Sequence, residues 1–351
     1  MVPAVQSLSG VPRASLVKEL STLPSFRATQ IFKWIASGAH SFDEMLNLPA
    51  SLREELKLRY AVFSSSQEEC FFSEDGTKKI RVSLEDGLKI ESVLLADLNN
   101  RLTACLSSQA GCPAACVFCK TGALGFRRNL SSSEIVEQFL FLRKLAGENP
   151  IANIVVMGMG EPLLNLPNLR QAIAVINDPQ GLNFSKRRIT VSTCGIHEGI
   201  IDLADNGPDV RLALSLVTAD EELRRRLMPM SRGHSLEQIK NALVYFQQSG
   251  GGRVTLELVL LGGVNTRQED ASALAQFARG LDAAINLIPW NPFEQQADSE
   301  FQLKEPGLNE VAAFSRRLES LNLNVTLRHR RGRSISGACG QLGCVNAVQE
   351  F

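Results

Sequence analysis

The sequence predicts an α/β fold: a partial (β/α)6 barrel behind a small N-terminal helical domain and a β-rich linker extension. Three observations carry this prediction. Apolar residues recur at helical spacing over 1–60, two Asp-Gly turns divide 61–100 into short alternating runs, and six strand–helix units follow over 101–323. A tail over 324–351 completes the expected organisation.

In the first segment Ile31, Trp34 and Ile35 share a helical face, and Ser51 with Glu54 reads as a capping box ahead of Leu52 and Leu56. Arg27, Lys33, Arg53, Lys57 and Arg59 lie outside the apolar stripe, a distribution that suits either a solvated face or RNA. In the second segment the turns at Asp75-Gly76 and Asp86-Gly87 separate Cys70–Phe72, Lys79–Val82 and Leu88–Leu95 into a β-meander. Glu91 falls inside its last strand, where a carboxylate ordinarily sits on the solvated face.

The barrel strands are expected at 102–107, 154–157, 189–192, 210–216, 254–260 and 285–288. Amphipathic helices are expected at 133–145, behind a Ser131/Glu134 capping box, and at 168–176, 197–204, 236–248, 270–279 and 309–321. Such alternation implies a parallel sheet with right-handed crossovers, whose chemistry gathers at the C-terminal ends of the strands. The unusual polar and glycine-rich features do fall there: Gly158-Met159-Gly160-Glu161-Pro162, Ser192, Ser215 and Asn291.

Bulk composition adds limits. The 351 residues carry 37 Lys plus Arg against 37 Asp plus Glu, so nucleic-acid binding would rest on local patches such as Lys186–Arg188, Arg224–Arg226 and Arg328–Arg333. No apolar run approaches the ~18 residues of a membrane span, and the first residues lack the apolar core of a signal peptide. A cytoplasmic monomer without a membrane partner is expected. Its eight cysteines then read as metal-binding or catalytic rather than as a disulfide framework.

Cys112, Cys116 and Cys119 stand in a C-x3-C-x2-C spacing, with Phe118 before the last and no fourth cysteine in the run. Three thiolates on a four-iron cluster leave one iron free for a ligand that is not protein. A structural zinc site with Cys105 or Cys194 as fourth ligand is the alternative, although this spacing is not the usual one of zinc modules. Cys339, flanked by glycine and alanine and preceded by cations, is expected to have a lowered pKa and thiolate character.

The cysteine loop resembles that of the radical S-adenosylmethionine (SAM) superfamily. The resemblance narrows to the RlmN/Cfr family of radical SAM RNA (adenine) methyltransferases, and most to its RlmN branch, at Glu91–Val93, Cys105–Cys112, Thr121–Leu130, Met157–Pro162 and Ala338–Leu342. Arg27–Ile35 and Asn47–Pro49 look like that family's accessory helical domain.

The resemblance implies a 4Fe-4S cluster on Cys112, Cys116 and Cys119, and SAM bound by Gly160, Glu161, Ser192, Ser215, Leu216, Val217 and Asn291. It implies that Cys339 carries the methyl group, Glu91 accepts a proton, and Cys105 resolves the enzyme–RNA link to leave a disulfide with Cys339. The implied reaction methylates carbon 2 of an adenosine in 23S rRNA and, in some members, of one beside the tRNA anticodon. A flavodoxin or ferredoxin would donate electrons. Carbon-8 methylation in the manner of Cfr is the nearer alternative, and a non-catalytic zinc-containing RNA-binding protein the more distant one. The sequence departs from the family pattern at Val217, where histidine is usual, and in the additional thiols Cys194 and Cys344.

Overall fold

The computed structural model describes residues 6–294 and 302–344; residues 1–5 of the helical segment and 345–351 of the expected tail lie outside them. The chain opens with β1 (Gln6–Ser7), α1 (Arg13–Glu19), α2 (Ser25–Ser37), α3 (Ala50–Arg59) and β2 (Tyr60–Ala61). Strands β1 and β2 pair in parallel, so the start of the segment is fastened to its end. Ala28, Ile31, Phe32 and Ile35 form the buried face of α2, while Trp34 is half-buried and donates to Asn47 Oδ1 at 2.7 Å. The expected Ser51/Glu54 capping box does not form: α3 begins at Ala50 behind Pro49, which places Ser51 within the helix, and Glu54 pairs with Lys57 instead. A capping box does form at Ser41 and Glu44, on a 3-10 turn.

The meander follows as β3 (Ser65–Phe72), β4 (Lys78–Leu84) and β5 (Lys89–Ala96), with Gly76 and Gly87 at the turns in the left-handed region that glycine adopts without strain. It is not a separate sheet, because β5 pairs antiparallel with β6 (Leu102–Cys105), the first barrel strand. A short hairpin of β7 (Gln109–Gly111) and β8 (Phe126–Asn129) encloses α4 (Lys120–Ala123). Then come α5 (Ser132–Ala146), β9 (Ile151–Val156), α6 (Leu166–Asn177), β10 (Ile189–Thr193), α7 (His197–Asn206) and β11 (Arg211–Ser215). The barrel continues with α8 (Glu221–Leu227), α9 (Leu236–Gln248), β12 (Val254–Leu260), α10 (Gln268–Ala278), β13 (Ala283–Pro289), α11 (Leu308–Ser320) and β14 (Val325–Leu327).

Strands β6, β9, β10, β11, β12, β13 and β14 lie side by side in chain order, each parallel to the next. An order that never reverses puts successive right-handed crossovers on one face, and the sheet curls away from the helices it carries. Val191, Leu212, Leu256 and Leu258 are among the buried strand residues of this core, with Ile173, Ile200, Ile239 and Phe314 from the helices. The inner side is polar: Thr103, Asn153, Thr190, Arg211, Thr255 and Asn286 line a cavity of about 650 Å³.

Two features depart from the expected layout. Strand β14 joins the barrel sheet, so residues 325–327 belong to it rather than to a free tail. Helix α8, which holds the three consecutive arginines, is capped by Asp220, whose side chain accepts from the amides of Glu222 and Leu223. The Ser131/Glu134 capping box forms as expected at the start of α5. From that helix the fully buried Glu137 accepts from Ser9 Oγ at 2.6 Å and from the amides of Ser64 and Ser65 at 2.8 Å, tying the helical segment and the meander to the barrel.

Candidate active site at the barrel mouth

The cysteine loop bulges from the end of β7, where Gly111 and Ala115 take positive φ. It is held by backbone bonds from Cys112 N to Gly125 O, Cys119 N to Cys116 O and Val117 N to Leu227 O, each 3.1 Å. Trp290 Nε1 donates to the Phe118 carbonyl at 2.9 Å, anchoring the loop to the strand opposite. Cys112, Cys116 and Cys119 line one cavity together with Gly160, Glu161, Ser192, Ser215, Asn291 and Cys339. Burial pushes the Cys112 thiol up to about 12 and the Cys116 thiol well above its ordinary value, and each is raised further by the neighbouring thiols. A cation bound among them would reverse that cost, since it favours the thiolate.

Gly160 shapes this wall. Its φ is 108°, and an added Cβ would lie 2.6 Å from Gln109 Cβ and 2.7 Å from Ser108 Oγ. The buried Glu161 accepts from Leu163 N at 3.1 Å and Cys194 N at 2.7 Å; desolvation raises its pKa, and these amides oppose the rise. Ser192 donates to the Val156 carbonyl at 2.9 Å. Asn291 donates to the Cys339 carbonyl, and its Oδ1 is buried without a partner. Leu216 and Val217 are fully buried and are not among the lining residues. Val217 takes φ of 63°; its amide donates to Glu257 O and its carbonyl accepts from Asn265, so its backbone groups are already engaged.

A second cavity, the polar inside of the barrel, meets the first at Met157, Glu257, Asn291, Arg328 and Cys339. Cys105 and Cys339 both line it. Cys105 is buried, and desolvation followed by the charge of Cys339 pushes its thiol up to about 12, against the pull of Arg328. Cys339 is exposed, and it lines both cavities among closely packed neighbours. Burial therefore raises its pKa too, and Arg328 only partly offsets that. This corrects the lowered pKa expected from the run of arginines: Arg330 and Arg333 are spent on Glu305. Glu257, in mid-strand on β12, is raised by burial with Arg328 opposing, and Asn286 donates to it at 2.7 Å. Its signal in the sequence was a lone carboxylate inside the apolar run Val254–Leu260, and it was missed.

Glu91 is not on the solvated face that its strand position suggested. It is buried, its Oε1 pairs with Lys79 at 2.8 Å, and its Oε2 accepts from Gly343 N at 2.9 Å. Cys194 lines the first cavity with its sulfur 3.7 Å from Met230 Sδ, and Cys344 is buried beside Arg81. The cationic patches are only partly committed to the fold, and Arg187 and Arg188 stay exposed. Arg224 is buried and donates to the carbonyls of Cys194 and Leu216, and Arg225 pairs with Glu221. In the helical segment Arg53 donates to the Asp43 carbonyl and Lys57 pairs with Asp43. Arg328, His329 and Arg331 line the second cavity.

The donor set suits a cluster better than a single zinc ion. Zinc would draw three sulfurs to about 3.8 Å apart, given Zn–S bonds of about 2.3 Å. Among the described residues, the trio of metal-ligating side chains gathered within 4.8 Å is instead His197, Glu198 and His234. There the two Nδ1 atoms share a hydrogen bond at 2.7 Å and Glu198 reaches both rings, at 3.2 and 3.3 Å, so these groups satisfy one another. Three thiols, a cradle that a Cβ would fill and the orphaned Asn291 Oδ1 fit a cluster with a polar ligand beside it. No helix among the described residues is long and apolar enough to cross a membrane.

Comparison with known proteins agrees with this geometry. Residues 106–275 match the radical SAM superfamily, and residues 15–62 match the ribosomal RNA large subunit methyltransferase N-terminal domain. The chain is 51% identical to a probable dual-specificity RNA methyltransferase RlmN of Treponema denticola, over 97% of this chain and 96% of the relative. It is 42% identical to a dual-specificity RNA methyltransferase RlmN of Pelobacter propionicus, over 93% and 92%. A radical SAM methyltransferase from Sphaerobacter thermophilus superposes with a TM-score of 0.91 at 35% identity, over 96% of this chain and 99% of that one. With its radical SAM barrel and the accessory helical domain ahead of it, the chain belongs to the RlmN family of radical SAM methyltransferases, whose cofactors are a 4Fe-4S cluster and SAM.

Proposed function

We propose that the protein methylates carbon 2 of an adenosine in 23S rRNA, and of an adenosine beside the anticodon in tRNA, using a methyl group carried on Cys339. The observation that supports this most directly is that Cys105 and Cys339 line one cavity that opens onto the three-cysteine loop. Cys112, Cys116 and Cys119 would hold the cluster, and Gly160, Glu161, Ser192, Ser215 and Asn291 would border the bound SAM. When bound, the cluster supplies an electron for cleaving SAM, and SAM also supplies the methyl group.

The chain's own groups do the rest. The Cys339 thiol gives up its proton and takes the methyl as a thioether, a change that its exposure to both cavities permits. Carbon 2 of adenine is too electron-poor to attack a sulfonium, so the Cys339 S-methyl group gives up one hydrogen atom to the radical that SAM cleavage supplies. The carrier carbon then bonds to carbon 2, one electron leaves the adduct for the cluster, and Glu91 takes the ring proton. Cys105 then attacks the Cys339 sulfur. A disulfide forms, the carbon–sulfur bond breaks with its electron pair going to the product carbon, and that carbon is protonated to a methyl group. A thiol reductant restores both thiols, and a flavodoxin- or ferredoxin-type donor serves the cluster. The target base must leave its stack to reach Cys339, and Arg328, His329 and Arg331 stand where its phosphates could be held. Such work places the protein in the cytoplasm.

The test is anaerobic reconstitution with iron and sulfide, incubation with a 23S rRNA fragment, reductant and methyl-labelled SAM, and mass spectrometry of the nucleosides. Methylation at carbon 2 is expected. Methylation at carbon 8 would keep the mechanism and change the product, and colourless zinc protein would sink the reading.

A further inference from the structure

Beneath the tail that carries Cys339 lies a buried ion pair. Lys79 on β4 and Glu91 on β5 are only 5% and 1% exposed, with Nζ and Oε1 2.8 Å apart. Neither residue lines either cavity. Lys79 also lies over the Phe71 ring at 4.9 Å, and the other side-chain hydrogen bonds of the pair reach the tail, on both sides of Cys339. Gly343 N donates to Glu91 Oε2 at 2.9 Å, and Lys79 Nζ makes a longer bond of 3.5 Å to the Ser336 carbonyl. Between these points the tail is held by Asn291 to Cys339 O at 3.2 Å, Lys120 N to Gly340 O at 2.8 Å and Thr121 Oγ1 to Leu342 O at 2.6 Å.

Burying a cation and an anion costs several kcal/mol per ion and adds little net stability, so packing alone would be served as well by apolar side chains. What the pair offers is direction: a fixed acceptor for one tail amide and a donor for one tail carbonyl. We propose that Lys79 is a positioning residue for the reaction. With Glu91 it staples residues 336–343 so that the Cys339 sulfur opens onto the cavities. In this docked state one Glu91 oxygen pairs with Lys79 and the other accepts from Gly343 N, so both hold the tail in place. This inference rests on the reading of Cys339 as the methyl carrier.

The test compares full-length wild type, Lys79→Met, which removes the charge and keeps the length, and Lys79→Arg, which restores a cation. In the protein without cluster, hydrogen exchange of residues 336–344 should speed up about tenfold or more in Lys79→Met, as expected for losing a charge-assisted bond, and return towards wild type in Lys79→Arg. In the reconstituted protein, labelling of Cys339 by methyl-labelled SAM should slow by a similar factor in Lys79→Met and recover in Lys79→Arg, while the cluster absorbance stays. A semisynthetic chain ligated at Ala338-Cys339, with glycolate in place of Gly343, removes the amide donor and should loosen the tail in the same way, with Thr121→Val as the control for the weakened Leu342 ester carbonyl. It keeps the test open where Lys79→Met does not fold. Wild-type exchange and wild-type Cys339 labelling in these variants would overturn the proposal. Wild-type protein that never labels Cys339, with exchange still dependent on Lys79, would instead overturn the carrier reading and, with it, this role for the staple.

Discussion

Asn291 donates from Nδ2 to the carbonyl oxygen of Cys339 at 3.2 Å, while its own Oδ1 is buried without a partner. One side chain at the cavity wall thus ties down the thiol-bearing loop and keeps a buried acceptor without a bond. A buried acceptor without a bond costs about 1–3 kcal/mol, and a ligand that supplies a donor recovers it. Asn291→Ala should therefore weaken SAM binding to the reconstituted protein by about tenfold or more, measured by equilibrium dialysis. Wild-type affinity in that variant would remove Asn291 from the binding site.

Gly160→Ala tests the wall itself. A left-handed φ and contacts under 3 Å to Gln109 and Ser108 leave no room for a methyl group. Backbone strain and the clash together should cost about 1–3 kcal/mol, seen as a lower melting temperature, and should reduce SAM retention. A variant with unchanged melting and binding would mean that the Gly158–Glu161 turn adapts freely.

The two cavity thiols should fail in different ways. Cys339→Ala should lose RNA methylation entirely while SAM cleavage at the cluster persists, read by mass spectrometry of the nucleosides and of the adenosine fragment. Cys105→Ala should accumulate a covalent protein–RNA adduct, visible as a shifted band on a denaturing gel. Free methylated RNA from Cys105→Ala would count against its resolving role.

The barrel was legible because its strands are apolar runs and its helices carry clean stripes, so each unit announces itself locally. The Ser131/Glu134 capping box could be read for the same reason. What escaped depends on partners distant in sequence. Strand β14 is three residues long and pairs only because β13 presents an edge. The capping box at Ser51 looked sound, but α3 starts behind Pro49, two residues too early for it. Arg224–Arg226 read as a surface patch, yet Arg224 points inward to two carbonyls. Glu91 looked solvated until the tail and Lys79 folded over it. Spacing and motif singled out Cys112, Cys116, Cys119 and Cys339, which line one cavity, but the pKa of Cys339 was not legible, because burial outweighs the single arginine that reaches it.

Cys105 gives a prediction in which the sign of a pKa shift decides the outcome. Its thiol is pushed up to about 12 from an ordinary 9.0, first by burial and then by the charge of Cys339. A raised thiol pKa means that the folded protein holds this proton more tightly than the unfolded chain does. The corresponding stability is complete below the ordinary pKa and is lost as pH rises towards the folded value. At pH near 8 the thiolate fraction should be about a thousandfold lower than that of a free thiol, since each unit is a factor of ten. Alkylation of Cys105 by iodoacetamide, followed by peptide mass spectrometry in the protein without cluster, should be slow. Its rate should keep climbing through about pH 10 rather than levelling near 9. Burial alone would also slow the reagent, so the shape of the profile and not the absolute rate is what discriminates. Cys339→Ala removes the second cause and should move the profile towards lower pH. A plateau near 9 in the wild type, with the fold intact by circular dichroism, would show that Cys105 is an ordinary thiol before its partner is methylated.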